Sequence, residues 1–288
     1  MTEKVSIAII GGSGLYQMSG LEDPKECRID TPFGKTSAPI IVGTLEGIRV
    51  AFLARHGIGH HITPTEVPYR ANIYALKSLG VERVISISAC GSLREDYAPG
   101  DIVIPDDIFD NTKDRIRTFF GNGFVAHVSV AEPFCKDLSD QVEAALRATG
   151  ATTHRGGSLI TIEGPRFSTK AESNAFRNWG MSIIGMTASP EAFLAREAEL
   201  CYATMAHVTD FDVWHESEST VTVDMVIQTL NQNTHIAQDA IRNLLRGLKP
   251  ERSCQCAQAL STALITDPKI IPAETRKNLD LLVGKYLK

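Results

Sequence analysis

The sequence predicts an α/β fold, a single domain in which a mixed central β-sheet is flanked by helices. Three observations lead there. Apolar runs of strand length recur along the chain with little polar interruption, the pattern of strands covered on both faces. Helical stripes lie between them, as layered α/β architectures require. No repeat, low-complexity tract or Pro/Gly linker divides the 288 residues, a length that one large domain accommodates.

Taken in order, the first strand is "VSIAII", which stops at the turn Gly11-Gly12-Ser13-Gly14. "IRVAFLA" stops at Arg55-His56. A helix is predicted in "YRANIYALKSLG", where Tyr69, Ile73 and Leu76 share a face and Gly80 marks the stop. "ERVISISA" runs into Cys90-Gly91-Ser92, and "DIVIP", "SLITIEG", "SIIGMT" and "CYATMAHVT" complete the strand set. "VDMVIQTL" opens a long helix whose stripe of Val223, Val226, Ile227 and Leu230 continues through Ala237, Ala240, Ile241, Leu244 and Leu245. Beyond Leu248 the pattern breaks up. Residues 1–250 are therefore expected to form the domain, and 251–288 a C-terminal extension packed on it. Six of the strands end in small, polar or charged residues. Ligands of open α/β sheets sit beyond the carboxyl ends of strands, so these ends outline one pocket.

Composition narrows the function. A net charge of −5 argues against a nucleic-acid partner while leaving room for a local basic pocket. The apolar run before the first glycines is too short for a secretion signal or a membrane span, so a cytoplasmic protein with no membrane partner is expected. The six cysteines, at 27, 90, 135, 201, 254 and 256, form no C-x-x-C, and no histidine pair has zinc-ligand spacing. No metal site is expected, and most of the thiols are expected to be reduced. Cys254 and Cys256 form a C-x-C in which a mutual disulfide would close a tight, strained ring.

The motifs supply candidate ligand contacts, each with a plainer structural reading. The Gly11–Gly14 turn can aim backbone N–H groups and the Ser13 hydroxyl at an anion, or be a tight turn and nothing more. It is not a dinucleotide fingerprint, because the last glycine would fall on Gln17, and no P-loop lysine follows. "ARHGIGHHITP" presents Arg55 and His56 to phosphate, the alternative being a solvated basic loop. In "ISACGS" the small residues around Ser88 let a ligand approach the backbone. Nothing nearby lowers the pKa of Cys90, which reads as core rather than nucleophile. Phe167 and Met186 are usually core types, yet at strand ends they can stack on a ring or pack on a sugar. "HVTDFDVWHE" sets Asp210 and Asp212 at the end of a buried strand. Two carboxylates there repel unless one holds a proton or a ligand donates to them. An anion loop, an aromatic, a methionine and paired carboxylates suit a ligand with an anion, a sugar and a heterocycle.

"IIGGSGLY", "TPFGKTSAPI", "ARHGIGHHITPTEVPYRANIYALK", "ACGSLREDYAPGDIVIPD", "AEPFC", "TIEGPRFSTKAES", "GMTASPE" and "TDFDVWHE" resemble, in the same order, the S-methyl-5′-thioadenosine phosphorylases. Those enzymes are a branch of the trimeric purine nucleoside phosphorylases. The resemblance runs from residue 5 to about residue 245. The segment after about 250 lies outside it, apart from a C-x-C like the oxidised one of some archaeal relatives. The resemblance implies the nucleoside phosphorylase fold, no cofactor, a homotrimer and a pentosyl transfer of purine and methionine salvage. The reaction would convert S-methyl-5′-thioadenosine and inorganic phosphate into adenine and 5-methylthioribose 1-phosphate.

By the same resemblance, Ser13, Arg55, His56, Ser88, Ala89 and Thr187 would bind phosphate, Ser13 and Ser88 standing where mammalian members have threonine. Met186 would pack on the ribose, and Phe167 and Ser168 would flank the base. Val221, Val223, Val226 and Ile227 would line the methylthio pocket, joined by a His127 reaching in from a neighbouring subunit. Asp210, held near Asp212, would protonate N7 of the leaving adenine, the two carboxyls retaining one proton between them. The nearest rival is a phosphorylase of 6-oxopurine nucleosides or of methylthioinosine, disfavoured because an ionised Asp210 would face O6. A non-catalytic nucleoside-binding protein on the same fold is the rival of another class.

Overall fold

The computed structural model describes residues 5–12, 18–215 and 223–287, the side chains of 223, 225–228 and 230–232 excepted. β1 (Ile7–Gly11), β2 (Glu22–Cys27) and the two-residue strands β3 (Asp30–Thr31) and β4 (Gly34–Lys35) precede a hairpin of β5 (Ile40–Leu45) and β6 (Ile48–Ala54). Next come α1 (Tyr69–Ser78), β7 (Arg83–Ser92), β8 (Ile102–Ile104) and β9 (Asp107–Asn111). They are followed by α2 (Lys136–Arg147), β10 (Thr153–Arg155), β11 (Ser158–Ile162) and α3 (Lys170–Asn178). The chain ends with β12 (Ile183–Gly185), α4 (Ala188–Glu197), β13 (Cys201–Asp210), α5 (Val223–Arg246) and α6 (Ala273–Val283), a 3₁₀ turn at Gln255–Gln258 lying between the last two helices.

Each predicted apolar run is a strand: β1, β6, β7, β8, β11, β12 and β13. The predicted helices are α1, which stops before Gly80 at a φ of 88°, and α5, one continuous helix of 24 residues. The strands form one mixed sheet in the order β10-β8-β13-β7-β1-β6-β5-β2, with β12 joining β7, β11 joining β12 and β9 joining β11. Alternation along β1 sends Ala8 and Ile10 to one layer and Ile7 and Ile9 to the other. The first layer packs on α1, α4 and α6 through Ile73, Leu76, Leu194 and Leu282. The second packs on α2 and α5 through Leu138, Val142, Ile241 and Leu244. Leu260, Leu279 and Val283, all beyond residue 250, sit in the first of these clusters.

The path of β7 decides where a ligand fits. β1 pairs with β7 over Arg83–Ser86, and β12 pairs with it over Gly91 and Ser92. β13 follows the opposite edge from Arg83 to Gly91. Residues 87–90 therefore have a strand partner on one edge only among the described residues, and the sheet splays open beside them.

Candidate active site

A cavity of about 530 Å³ lies at this splay, and all six polar strand ends reach it. Gly12 comes from β1, Arg55 and His56 follow β6, and Ser88, Ala89 and Gly91 belong to β7. Phe167 and Ser168 follow β11, Met186 and Thr187 follow β12, and Asp210 and Asp212 close the wall at the end of β13. Ten of the predicted contact residues are thus brought together. Ser13 and Val221 lie outside the described residues, as do the side chains of Val223, Val226 and Ile227. His127 is exposed and does not line the cavity of its own chain.

At one end of the cavity Arg55 is almost fully buried, and its guanidinium forks onto Glu191, with Nε to Oε2 at 2.8 Å and Nη2 to Oε1 at 2.9 Å. Nη2 also donates to Ser86 Oγ at 2.7 Å, and Nη1 reaches the Ile87 carbonyl at 3.3 Å. Of its five N–H groups, one on Nη1 is left over. The sequence suggested a two-pronged grip on an anion; the fold uses that fork to hold Glu191. His56 donates from Nδ1 to the Ile62 carbonyl (2.9 Å) and stacks on His60 at 4.4 Å. Burial, reinforced by the Arg55 charge, lowers its pKa to about 4. His56 is therefore neutral near pH 7, and with Nδ1 donating to the Ile62 carbonyl its Nε2 is the acceptor nitrogen, suited to a protonated phosphate oxygen.

The other end is built around the carboxylates. Thr209 donates to Asp210 Oδ2 (2.7 Å), and the Asp212 backbone N–H donates to Asp210 Oδ1 (2.8 Å). That turn sets Asp212 at a φ of 50°, a conformation that aspartate tolerates better than most side chains. Opposite lies Gly91, where a Cβ would come within 2.9 Å of Asp210 Oδ1. Burial pushes both carboxyls above their usual range; for Asp210 the Asp212 charge adds a smaller push in the same direction. The spacing suggested a proton held between two side chains. In the fold, dehydration is the larger cause that raises Asp210, with the Asp212 charge a smaller one and the bonds from Thr209 and the Asp212 N–H opposing it. Asp212 Oδ2 and the Ser168 hydroxyl are buried without a well-formed hydrogen bond among the described residues, although the Ser168 and Ser173 hydroxyls lie near enough to the Asp212 carboxylate to temper its rise. Asp212 and Ser168 line the cavity, where a ligand can complete their hydrogen bonding.

Some contributors had no signal in the sequence. Arg115 is buried and donates to the carbonyls of Met186 (2.6 Å), Ser189 (2.7 Å) and Glu163 (2.6 Å), tying the β11 and β12 ends together. At Gly164, φ is 66° and a Cβ would collide with Met186 Sδ at 2.7 Å, so this glycine lets Met186 lie against the loop. His60, Asn233 and His207 also line the cavity. His207 is buried with neither ring nitrogen partnered among the described residues, and burial lowers its pKa to about 4. Cys90 is buried and its thiol is pushed well up, in line with a core residue rather than a nucleophile. Four of the six thiols, distant in sequence, meet in space: Cys135, Cys201, Cys254 and Cys256 converge at the amino end of β13, far from the cavity.

Comparison with known proteins agrees with this geometry. The sequence model of the phosphorylase superfamily matches residues 6–246. An S-methyl-5′-thioadenosine phosphorylase of Geobacter sulfurreducens is 55% identical over 282 residues, covering 98% of this chain and 99% of the relative. That match extends into the segment after residue 250, which the motif resemblance had left out. Among solved structures, a methylthioadenosine phosphorylase from an antarctic soil metagenomic library superposes with a TM-score of 0.91 at 48% identity, covering 97% of this chain and 99% of that one. A methylthioadenosine phosphorylase from Schistosoma mansoni, solved with adenine, gives a TM-score of 0.84 at 34% identity over 98% of both chains. With its mixed sheet, its splayed β7 and these relatives, the chain belongs to the phosphorylase superfamily and, within it, to the S-methyl-5′-thioadenosine phosphorylases.

Proposed function

We propose that this protein cleaves S-methyl-5′-thioadenosine with inorganic phosphate, giving adenine and 5-methylthioribose 1-phosphate. The observation that carries the reading is a buried Asp210, its pKa raised by dehydration, across one cavity from Arg55 and His56. The C1′–N9 bond breaks as a phosphate oxygen bonds to C1′ from the opposite face of the sugar. Adenine leaves as a neutral base when Asp210 delivers its proton to N7. The resulting carboxylate then accepts from the 6-amino group. Phosphate is held by the remaining Arg55 N–H, His56, Ser88, the Ala89 backbone, Thr187 and Ser13, and its charge stabilises the oxocarbenium-like carbon. Met186 packs on the ribose, Phe167 stacks on the base, and Ser168 and Asp212 offer it polar atoms. Arg115 acts as a positioning residue for the Met186 loop.

Val221, Val223, Val226 and Ile227 form the methylthio pocket in this reading, completed by a His127 from a neighbouring subunit of a homotrimer. An exposed apolar strip beside His127, with Val125, Val130 and Ile265, supports such a subunit contact. Residues 1–250 act as the phosphorylase domain, with 251–288 as an extension of the same unit. The protein works in the cytoplasm; among the described residues no helix is long and apolar enough to cross a membrane.

The test incubates the protein with methylthioadenosine, adenosine, methylthioinosine and inosine, with and without phosphate. Cleavage should require phosphate and favour the two aminopurines, with adenosine about 10–200-fold less efficient because an apolar pocket discriminates only that far. Cleavage without phosphate, or preference for a 6-oxopurine, would contradict the reading.

A further inference from the structure

We propose that Cys135, Cys201, Cys254 and Cys256 form a four-thiolate site for one zinc ion, which pins the C-terminal extension to the sheet. The four residues come from three parts of the chain. Cys201 opens β13, Cys135 precedes α2, and Cys254 and Cys256 lie at the 3₁₀ turn of the extension. The Cys135 N–H donates to the Tyr202 carbonyl at 2.8 Å, so the first two elements are already locked together. Three of the thiols are buried and Cys254 is half-buried.

All four sulfur atoms lie within 4.8 Å of one another, and the Cys201 and Cys254 sulfurs are 3.3 Å apart. A tetrahedral zinc with Zn–S bonds of about 2.3 Å needs sulfur atoms about 3.8 Å apart. The observed spacing brackets that value, so sub-ångström movements would close the tetrahedron. Thiols can also gather as small apolar groups, but the charge environment points further. Arg196 brings Nη1 to 3.4 Å from Cys256 Sγ, and its Nε is buried without an acceptor among the described residues. Four thiolates around a divalent ion carry a net charge of −2, which a guanidinium at that distance offsets. All-sulfur ligation selects zinc over magnesium or calcium. It also leaves no open position, so the ion is structural. The C-x-C spacing departs from the usual zinc pattern, since the other two ligands come from distant parts of the chain.

The site lies at the opposite end of β13 from Asp210, about 30 Å along a ten-residue strand. Zinc should therefore support stability and leave turnover alone. The experiment purifies the full-length protein anaerobically, without chelators, and measures metal content and free thiols. The expected result is one zinc per chain, four protected thiols that become reactive once zinc is stripped, and a thermal midpoint lowered by about 5 °C or more on stripping. Stripped wild-type protein titrated with Co²⁺ should show the thiolate-to-cobalt absorption of a tetrahedral sulfur site, which reads the site without any substitution. Cys254→Ser should lose the metal and keep its kcat within about twofold. The proposal is overturned if the wild type binds neither zinc nor cobalt, or if mass spectrometry finds the four cysteines joined as disulfides in the anaerobically purified protein. A Cys254→Ser variant that retains the full metal content would equally overturn it.

Discussion

At its carboxyl end β13 presents Asp210 against Gly91, beside an Asp212 oxygen without a well-formed hydrogen bond among the described residues and a turn with positive φ. At its amino end the same strand presents Cys201 among three other thiols, against the C-terminal segment. Both ends are buried, yet they treat buried polarity in opposite ways. The carboxyl end keeps a dehydrated carboxyl and polar atoms whose hydrogen bonding a ligand can complete. The amino end gathers four thiols beside the Arg196 guanidinium and the C-terminal segment. One strand thus separates a site built for reaction from a site built for cohesion, and substitutions along it should divide between rate and stability.

Glu191 is where that separation should fail, with the largest expected effect. Its carboxylate holds the fork of Arg55 beside the cavity and accepts from the Tyr202 hydroxyl, near the start of β13, at 2.8 Å. Glu191→Ala leaves a buried arginine without its counter-charge, a loss of about 3–5 kcal/mol. Denaturant melts should show this loss, and any folded fraction should need more phosphate for half-maximal rate. Full stability with an unchanged phosphate KM would remove Arg55 and Glu191 from the account.

His207 sharpens the comparison by a smaller margin. Its pKa falls from 6.5 to about 4 on burial, so the unfolded chain takes up the proton first as pH drops. The contribution of the neutral ring is fully present above about pH 6.5 and is lost between there and about pH 4, at about 1.4 kcal/mol per pH unit. In His207→Asn that slope should disappear, while His56, shifted the same way, keeps its own. Urea unfolding at several pH values in this window measures both slopes. Identical slopes for the two proteins would show that His207 is not carried neutral in the fold.

Much of this molecule was legible in its sequence, for identifiable reasons. Strands covered on both faces must be apolar, so β1, β6, β7 and β13 announced themselves, and the polar residues at their ends marked the cavity. β2 gave no such signal: Glu22–Cys27 is almost wholly exposed, with no apolar alternation. Arg115 and Glu191 were invisible because their partners lie 71 and 136 residues away, a distance that local pattern cannot bridge. The four thiols were missed for the same reason. The carboxylate pair was found from spacing, but the reason given was incomplete: dehydration, more than mutual repulsion, raises Asp210.

The most direct test of the central claim replaces Asp210 with Asn and compares the four nucleosides at one phosphate concentration. The amide keeps the shape and removes the transferable proton. It can donate to a 6-oxo group where the carboxylate could only accept from a 6-amino group. The account predicts that kcat/KM for methylthioadenosine falls by about 10²-fold or more, in a protein that thermal melts show to be folded. The ratio of methylthioinosine to methylthioadenosine should rise at least about tenfold. An undiminished rate with an unchanged ratio would contradict it, and the proton donor and base reader would have to be sought elsewhere in the cavity, beginning with Asp212.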